Sequence, residues 1–247
     1  MTRGKPYLFF DLGETLVELD SLILSLAEIL KAAFPGVARP ANEIAREWAF
    51  QAASLLPSAQ GPNFATEHSI GAGVLQGLLR AAGADVPLKE AAELLIKTRD
   101  RFIDRVRLYP DADGGWLGAI RARAAGMGIV TDGDAQYVPR ILDRLRIRGF
   151  FDTITTSESV NAYKPDARIY RSAMESAGAE PGKSLFVSDS TLDLQGAAAV
   201  GMGTAHVARR LLPGRPTFPD GCVRLTTLRD LDAVLSRYGR TGRFTGW

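Results

Sequence analysis

Four consecutive apolar residues, Tyr7-Leu8-Phe9-Phe10, run straight into Asp11, and this abrupt change constrains the chain more than any other feature. A short apolar run that ends so sharply reads as a buried strand. In an open α/β sheet, a polar residue at such a strand end sits where ligands bind. No strand-like alternation appears between Asp20 and about Arg105, where the apolar period is helical. Leu22, Leu26, Ile29 and Ala33 share one face, and Ile44, Trp48 and Ala52 share a second. Ile70, Val74 and Leu78 mark a third helix, and Leu88, Ala91, Leu95 and Phe102 a fourth. Asp20 or Ser21 is the expected N-cap of the first. The stretch PSAQGPN at 57–63 reads as a loop.

After Tyr109-Pro110 the pattern alternates. Helices are expected at 116–125, 139–145, 166–177, 194–200 and 228–238, and strands at 127–130, 153–155, 185–187, 204–207 and 223–225. Strands alternating with helices argue for a parallel sheet covered on both faces. The expected fold is therefore α/β: a Rossmann-like parallel core with helices on both faces, and an all-helical domain inserted after the first strand. Residues 1–19 and 106–247 would form the core and residues 20–105 the insert. The segment 239–247 reads as a loose tail.

Composition narrows the function classes. A chain of 247 residues, 46% hydrophobic and 23% charged, has enough apolar material for a sizeable core and is not a disordered polymer. Cys222 is its only cysteine, which excludes a disulfide scaffold. No apolar run approaches a membrane span, and the four apolar residues before Asp11 are too few for a signal peptide, so a cytoplasmic protein is expected. The net charge of +2 is uneven: eight arginines against three aspartates make 209–247 basic. They are scattered with few aromatics between them, so they read as a solvated segment, and neither a nucleic-acid nor a membrane partner is expected. His68 and His206 stand alone and give no zinc pattern, and there is neither a GxSxG nor a Walker A sequence.

The chemistry concentrates at the expected strand ends, which carry Asp11, Thr131 and Asp189, with Asp193 four residues on and Lys164 in a loop before a helix. Thr131 and Lys164 suit an anion such as phosphate. Asp11 and Asp189 suit Mg²⁺, a hard cation that favours a few carboxylates plus waters. Asp11 is also a potential nucleophile. Each residue alone has a plainer reading, as turn, cap or solvated side chain; their order and placement together carry the weight.

The stretches FFDLGETL at 9–16, IVTDG at 129–133, YKPDARIY at 163–170 and LFVSDSTLDLQGAAAVGM at 185–202 resemble the haloacid dehalogenase superfamily of hydrolases in order and spacing. The helical insert is similar to the cap that such proteins place over the active site. The resemblance implies that Asp11 is the nucleophile, that Thr131 and Lys164 bind and neutralise the transferring group, and that Asp132 and Gly133 belong to the same substrate-binding stretch. It implies Mg²⁺ held by Asp11, the carbonyl of Gly13 and Asp189, with Asp193 in support. The substrate would be a small phosphorylated molecule, and some capped members look dimeric. Trp48, Phe64 and His68 are the cap residues expected near substrate.

Two departures keep other activities open. Phosphatases of this superfamily usually read Asp-x-Asp, the second aspartate serving as general acid and base; here it is Gly13, and Glu14 is one residue away. The dehalogenase branch also lacks that aspartate, needs no metal, and has a lysine motif like YKPDARIY. Against it stand Asp189 where a neutral residue is usual, Asp132 in place of an asparagine that helps to bind a substrate carboxylate, and Gly13 in place of an aromatic. A free carboxylate at 189 would repel Asp11 unless a cation lay between them. Tyr170 reads as a core aromatic, and Asn161, where glycine is common, as a residue that tolerates left-handed dihedrals. A Mg²⁺-dependent phosphomonoesterase is the leading expectation, with a metal-independent 2-haloacid dehalogenase and a non-catalytic ligand-binding protein as alternatives.

Overall fold

The computed structural model describes residues 4–209 and 216–244. The chain enters as β1 (Tyr7–Phe10), fully buried. It leaves the core through β2 (Val17–Glu18) and forms four long helices, α1 (Asp20–Ala33), α2 (Ala41–Leu55), α3 (Glu67–Ala81) and α4 (Leu88–Arg105). It returns through β3 (Arg107–Leu108), antiparallel to β2, so exit and re-entry are stitched together. The rest alternates as expected: α5 (Gly114–Arg123), β4 (Gly126–Thr131), α6 (Val138–Arg144), β5 (Thr153–Thr156), α7 (Ser157–Val160), α8 (Ala167–Ala177), β6 (Ser184–Ser188), α9 (Thr191–Ala199), β7 (Gly203–Val207), β8 (Val223–Leu225) and α10 (Leu231–Thr241).

Six strands form one parallel sheet in the order β5-β4-β1-β6-β7-β8. The first apolar run is thus a central strand, flanked by β4 and β6. Its aromatic rings need room. A Cβ on Gly126 would lie 2.2 Å from the Tyr7 ring, and one on Gly128 2.9 Å from the Phe9 ring, so the glycines of β4 admit the stacked Tyr7–Phe9 pair. A similar close approach joins α9 to the Lys164 loop, because a Cβ on Gly196 would meet the Pro165 carbonyl at 2.6 Å.

The four inserted helices pack in a ring, α1 on α2 and α4, α3 on α2 and α4. Leu26, Leu30, Ile44, Leu75, Leu95 and Phe102 are buried between them, and this interior is continuous with the core around Phe10 and Trp116. The Trp48 indole N–H donates to the Gly71 carbonyl at 3.0 Å, inside the helical layer.

Several local expectations are corrected. Leu19, not Asp20 or Ser21, is the N-cap of α1; its N–H donates to the Glu14 carboxylate, which replaces a side-chain cap. The buried face of α3 is Gly71, Ala72, Leu75, Leu78 and Leu79, so Ile70 and Val74 are only half-buried, and Leu88 on α4 is exposed. Residues 228–230 form a 3-10 turn, and α10 continues to Thr241, where a loose tail was expected. The helix expected at 116–125 starts earlier, because Asp113 caps it through the Trp116 N–H. The end of the tail, 245–247, and Arg210 and Arg215 of the basic segment lie outside the described residues. Within the described part of that segment, Arg209 is ion-paired with Asp111 and Arg229 with Asp113. Among the described residues, no helix is long and apolar enough to cross a membrane.

Candidate active site

The carboxyl edge of the sheet gathers the strand-end residues from four segments. β1 delivers Asp11, whose N–H donates to the Val187 carbonyl of β6 at 3.0 Å, extending the ladder one residue beyond the strand. β4 ends in Thr131, and β6 leads through Ser188 to Asp189. Ser190 caps α9 and so fixes Asp193 in its first turn. Lys164 comes from the loop before α8, where Asp166 is the cap.

Lys164 is the centre of charge. Its ammonium donates to Asp11 Oδ1 at 2.5 Å and to Asp193 Oδ2 at 2.6 Å, with only 3% of the side chain exposed. Burial alone would strip its proton, but Asp11, Asp193 and Asp132 outweigh it and hold the lysine well above its ordinary range. Asp193 is further held by the Ser188 hydroxyl at 3.1 Å. Its carboxylate therefore faces Lys164 and Ser188.

The other oxygen of Asp11 accepts the Thr15 hydroxyl at 2.9 Å, and that hydroxyl also lies 3.5 Å from Asp189 Oδ1. Two carboxylates thus flank one hydroxyl. Burial, then the Asp11 and Asp193 charges, push the Asp189 carboxyl up to about 8. Burial also raises Asp11, with Lys164 the main opposing influence. The donor set left beside Asp11 is hard oxygen. Among the described residues, no three acidic, histidine or cysteine side chains converge as a metal cluster. Mg²⁺ keeps several waters and needs only one or two carboxylates, so Asp11 and Asp189 fit it.

The remaining sequence candidates line the same cavity, of about 380 Å³. The Thr131 hydroxyl accepts the Gly133 N–H at 3.3 Å. Asp132 turns one oxygen to the Lys164 N–H at 2.9 Å; burial, opposed by Lys164, raises its carboxyl to about 7. Glu14 lines the cavity too, but its carboxylate accepts from the Tyr109 hydroxyl at 2.5 Å and from the Leu19 N–H at 3.2 Å. It is occupied at the exit of the insert and does not replace the acid missing at Gly13.

Some functional neighbours escape a reading of single motifs. Thr15 bridges the two carboxylates, and its signal was its place four residues after Asp11. Arg209 donates two hydrogen bonds to the Thr15 carbonyl and two to the Asp111 carboxylate, while its guanidinium covers the Tyr109 ring at 4.0 Å. Nothing in the sequence pairs it with Thr15, 194 residues away. Tyr170 is a core aromatic as expected, edge-on to Phe186, and its hydroxyl donates to the Asp193 carbonyl at 2.8 Å. Asn161 adopts the left-handed conformation, φ 52°. His206 stays structural, its Nε2 3.0 Å from the Asp189 carbonyl.

The inserted helices close the cavity, but not with the residues expected. Trp48 lies within the helical layer, Phe64 stacks on Tyr163, and His68 contacts the core through its backbone N–H. Glu67, Arg99 and Phe102 line the cavity instead. Several contacts seat the insert on the core beside the site, two of them next to site residues. Gln60 exchanges hydrogen bonds with the backbone of Tyr163, beside Lys164. The Asp134 carboxylate accepts the first N–H groups of α3, from Glu67 and His68, at 2.8 and 2.9 Å.

Comparison with known proteins agrees with this architecture. The chain is 29% identical over 153 residues to (S)-2-haloacid dehalogenase 1 of a Pseudomonas species, covering 60% of this chain and 67% of that one. It is 31% identical over 122 residues to phosphoglycolate phosphatase of Escherichia coli, covering 47% of this chain and about half of the relative, 48%. Among solved structures, L-2-haloacid dehalogenase from Xanthobacter autotrophicus superposes with a TM-score of 0.73 at 20% identity, over 94% of this chain and 99% of that one. A putative HAD-hydrolase from Bacillus subtilis bound to magnesium gives 0.77 at 18%, over 95% of this chain and all of that one. Both likenesses are of fold. The model of the haloacid dehalogenase-like hydrolases matches residues 7–201, and with the sheet, the insert and the strand-end site in place, the chain belongs to that family.

Proposed function

We propose that this hydrolase is a Mg²⁺-dependent phosphatase of a small phosphorylated molecule, acting through a covalent intermediate on Asp11. The observation that carries the reading is the second carboxylate: Asp189 and Asp11 flank the Thr15 hydroxyl, so two hard oxygen donors face one another beside the nucleophile. A metal-free displacement of halide has no use for that pair.

Asp11 and Asp189 would hold Mg²⁺, with the Gly13 carbonyl as a further oxygen; the ion would supply charge neutralisation for the phosphoryl oxygens. Asp11 attacks phosphorus, the bond from phosphorus to the ester oxygen breaks, and the alcohol leaves. Lys164 and the Thr131 hydroxyl stabilise charge on the transferring group. Water then hydrolyses the aspartyl phosphate, releasing inorganic phosphate and restoring Asp11. No side chain at Gly13 protonates the leaving oxygen, so solvent does, and good leaving groups are favoured. General acid–base help of this kind is typically worth about 10²–10⁴-fold. The helices of 20–105 act as the cap in this reading, excluding water and contacting the alcohol part.

A second reading, metal-independent 2-haloacid dehalogenase, is favoured by the absence of a second aspartate after Asp11 and by the buried Lys164 and Tyr170 of the lysine motif. The discriminating test is Asp189→Ser, assayed with p-nitrophenyl phosphate over a Mg²⁺ titration. Loss of Mg²⁺-stimulated turnover is the expected result. Undiminished turnover at the same Mg²⁺ requirement would remove Asp189 from the mechanism.

A further inference from the structure

The cavity lining divides into an anion cradle and a wall that meets the rest of the substrate. Leu19, Leu22, Phe102, Val138 and Ile141 make much of that wall apolar. Among the described residues, only Lys164 and Arg99 bring positive charge to the lining. Lys164 lies between Asp11 and Asp193. Arg99 is paired with Glu67 at 2.6 Å, its side chain 10% exposed, and its guanidinium lies 5.8 Å from the centre of the Tyr137 ring. Seven carboxyl side chains border the same space.

A carboxylate on the organic part of a substrate would lose its water there and gain no free cation. Its nearest charged neighbours would include acidic groups, and such juxtaposition discriminates by repulsion as much as by lost attraction. A neutral aryl or alkyl group would instead bury apolar surface against Phe102, Val138 and Ile141. Haloacids and phosphoglycolate, for which the relatives are named, both carry a carboxylate, so this cavity departs from both.

We propose that the site takes phosphate monoesters whose alcohol part is uncharged and apolar, and excludes those bearing a carboxylate, with Glu67 setting the preference by holding Arg99. This rests on the phosphatase reading for its chemistry, and it is tested apart from turnover. Phenylphosphonate and 3-phosphonopropionate carry the same anionic group with no ester bond to break. Calorimetric titration of the full chain in Mg²⁺ should show phenylphosphonate binding at least about tenfold tighter. Glu67→Gln should narrow that ratio severalfold by strengthening the carboxylate-bearing probe alone. Equal or tighter wild-type binding of 3-phosphonopropionate, or no binding of either probe, would overturn the proposal. A ratio unchanged in Glu67→Gln would overturn the role of Glu67. If the preference holds while no phosphate ester is turned over, the selectivity stands and the phosphatase reading fails.

Discussion

The two sides of the cavity are built in opposite ways. The cradle is made of residues at the ends of neighbouring parallel strands and in the loop and helix turn that follow them, and its buried charges answer one another at close range: Lys164 with Asp11 at 2.5 Å and with Asp193 at 2.6 Å, and Asp193 with Ser188 at 3.1 Å. The opposing wall is made by helices that enter from outside the sheet and touch the site through a few tethers, Gln60 on Tyr163 and Asp134 on the start of α3. On one side backbone geometry alone brings the chemistry together. On the other, tertiary packing must do it. The difference separates the chemistry the strand ends can perform from the choice of molecule the helices would admit.

The largest effect should come from the cradle. Lys164→Met would leave two buried carboxylates without their cation, a loss of about 3–5 kcal/mol when one partner of a buried pair is removed. Turnover should fall by at least about 10²–10³-fold, as for loss of a preorganised charge stabiliser. Chemical denaturation and steady-state kinetics read both; a stable, active variant would break the contrast at its strongest point.

Gly13→Asp sharpens it from the catalytic side. A Cβ at Gly13 would lie 3.0 Å from the Leu19 terminal methyl, the movable end of a side chain. An acid restored there should raise turnover of alkyl phosphates, up to about 10²-fold, and that of p-nitrophenyl phosphate much less, because only poor leaving groups need the proton. An equal change in both would show that the residue acts through shape instead. Leu19→Ala in the same chain separates crowding from chemistry.

Arg209→Met addresses the junction between the two sides. Asp111 gains its low pKa against burial chiefly through its hydrogen bonds to Arg209, Leu228 and Thr227. Its stabilising contribution is present above the ordinary carboxylate range and lost as pH falls through the lowered value. Without the guanidinium, stability should drop by about 2–3 kcal/mol at neutral pH. The Thr15 carbonyl would lose its two donors, so kcat should fall about tenfold with little change in KM. A change confined to KM would show that Arg209 does not act through Thr15.

Much of the fold was legible in the sequence because its signals are local. An apolar run ending in Asp11, helical stripes without alternation, and then alternating strands and helices each report on a few neighbouring residues. The cradle follows from such pieces, since parallel strands align their ends, whereas the strand order β5-β4-β1-β6-β7-β8 rests on pairings between distant segments and left no local signal. The two-residue β2–β3 pairing was not legible: Val17–Glu18 and Arg107–Leu108 are too short for periodicity and meet only because the chain returns. Nor was the α3 face, where Gly71 and Ala72 rather than Ile70 are buried because helix packing favours small residues against Trp48. The helical residues that line the cavity, Glu67, Arg99 and Phe102, left no local signal either. Arg99 matters through Glu67, 32 positions earlier on a different helix, and a pairing at that distance leaves no local trace.

The smallest expected effect lies at the tether between the two sides. Burial and the nearby Glu67 charge raise the Asp134 carboxyl to about 6. A raised carboxyl favours the folded state when protonated, so this contribution is full below its ordinary value and is lost as pH rises through about 6. Asp134→Asn should therefore be more stable than wild type at pH 7–8, by about 1–3 kcal/mol, with the difference shrinking toward about pH 4 in thermal melts. A pH-independent difference would mean that hydrogen bonding to α3, rather than charge, dominates.

The most direct test of the central claim is a single side-by-side assay. Purified protein, with and without chelator, is given p-nitrophenyl phosphate in one series and 2-chloropropionate in the other, and phosphate and chloride release are followed alongside Asp11→Asn. Phosphate release that needs both Mg²⁺ and Asp11, with no chloride release, is the expected result. Chloride release that persists in chelator and disappears in Asp11→Asn would contradict the phosphatase reading and make the neighbouring carboxylate at 189 an obstacle that a dehalogenase tolerates.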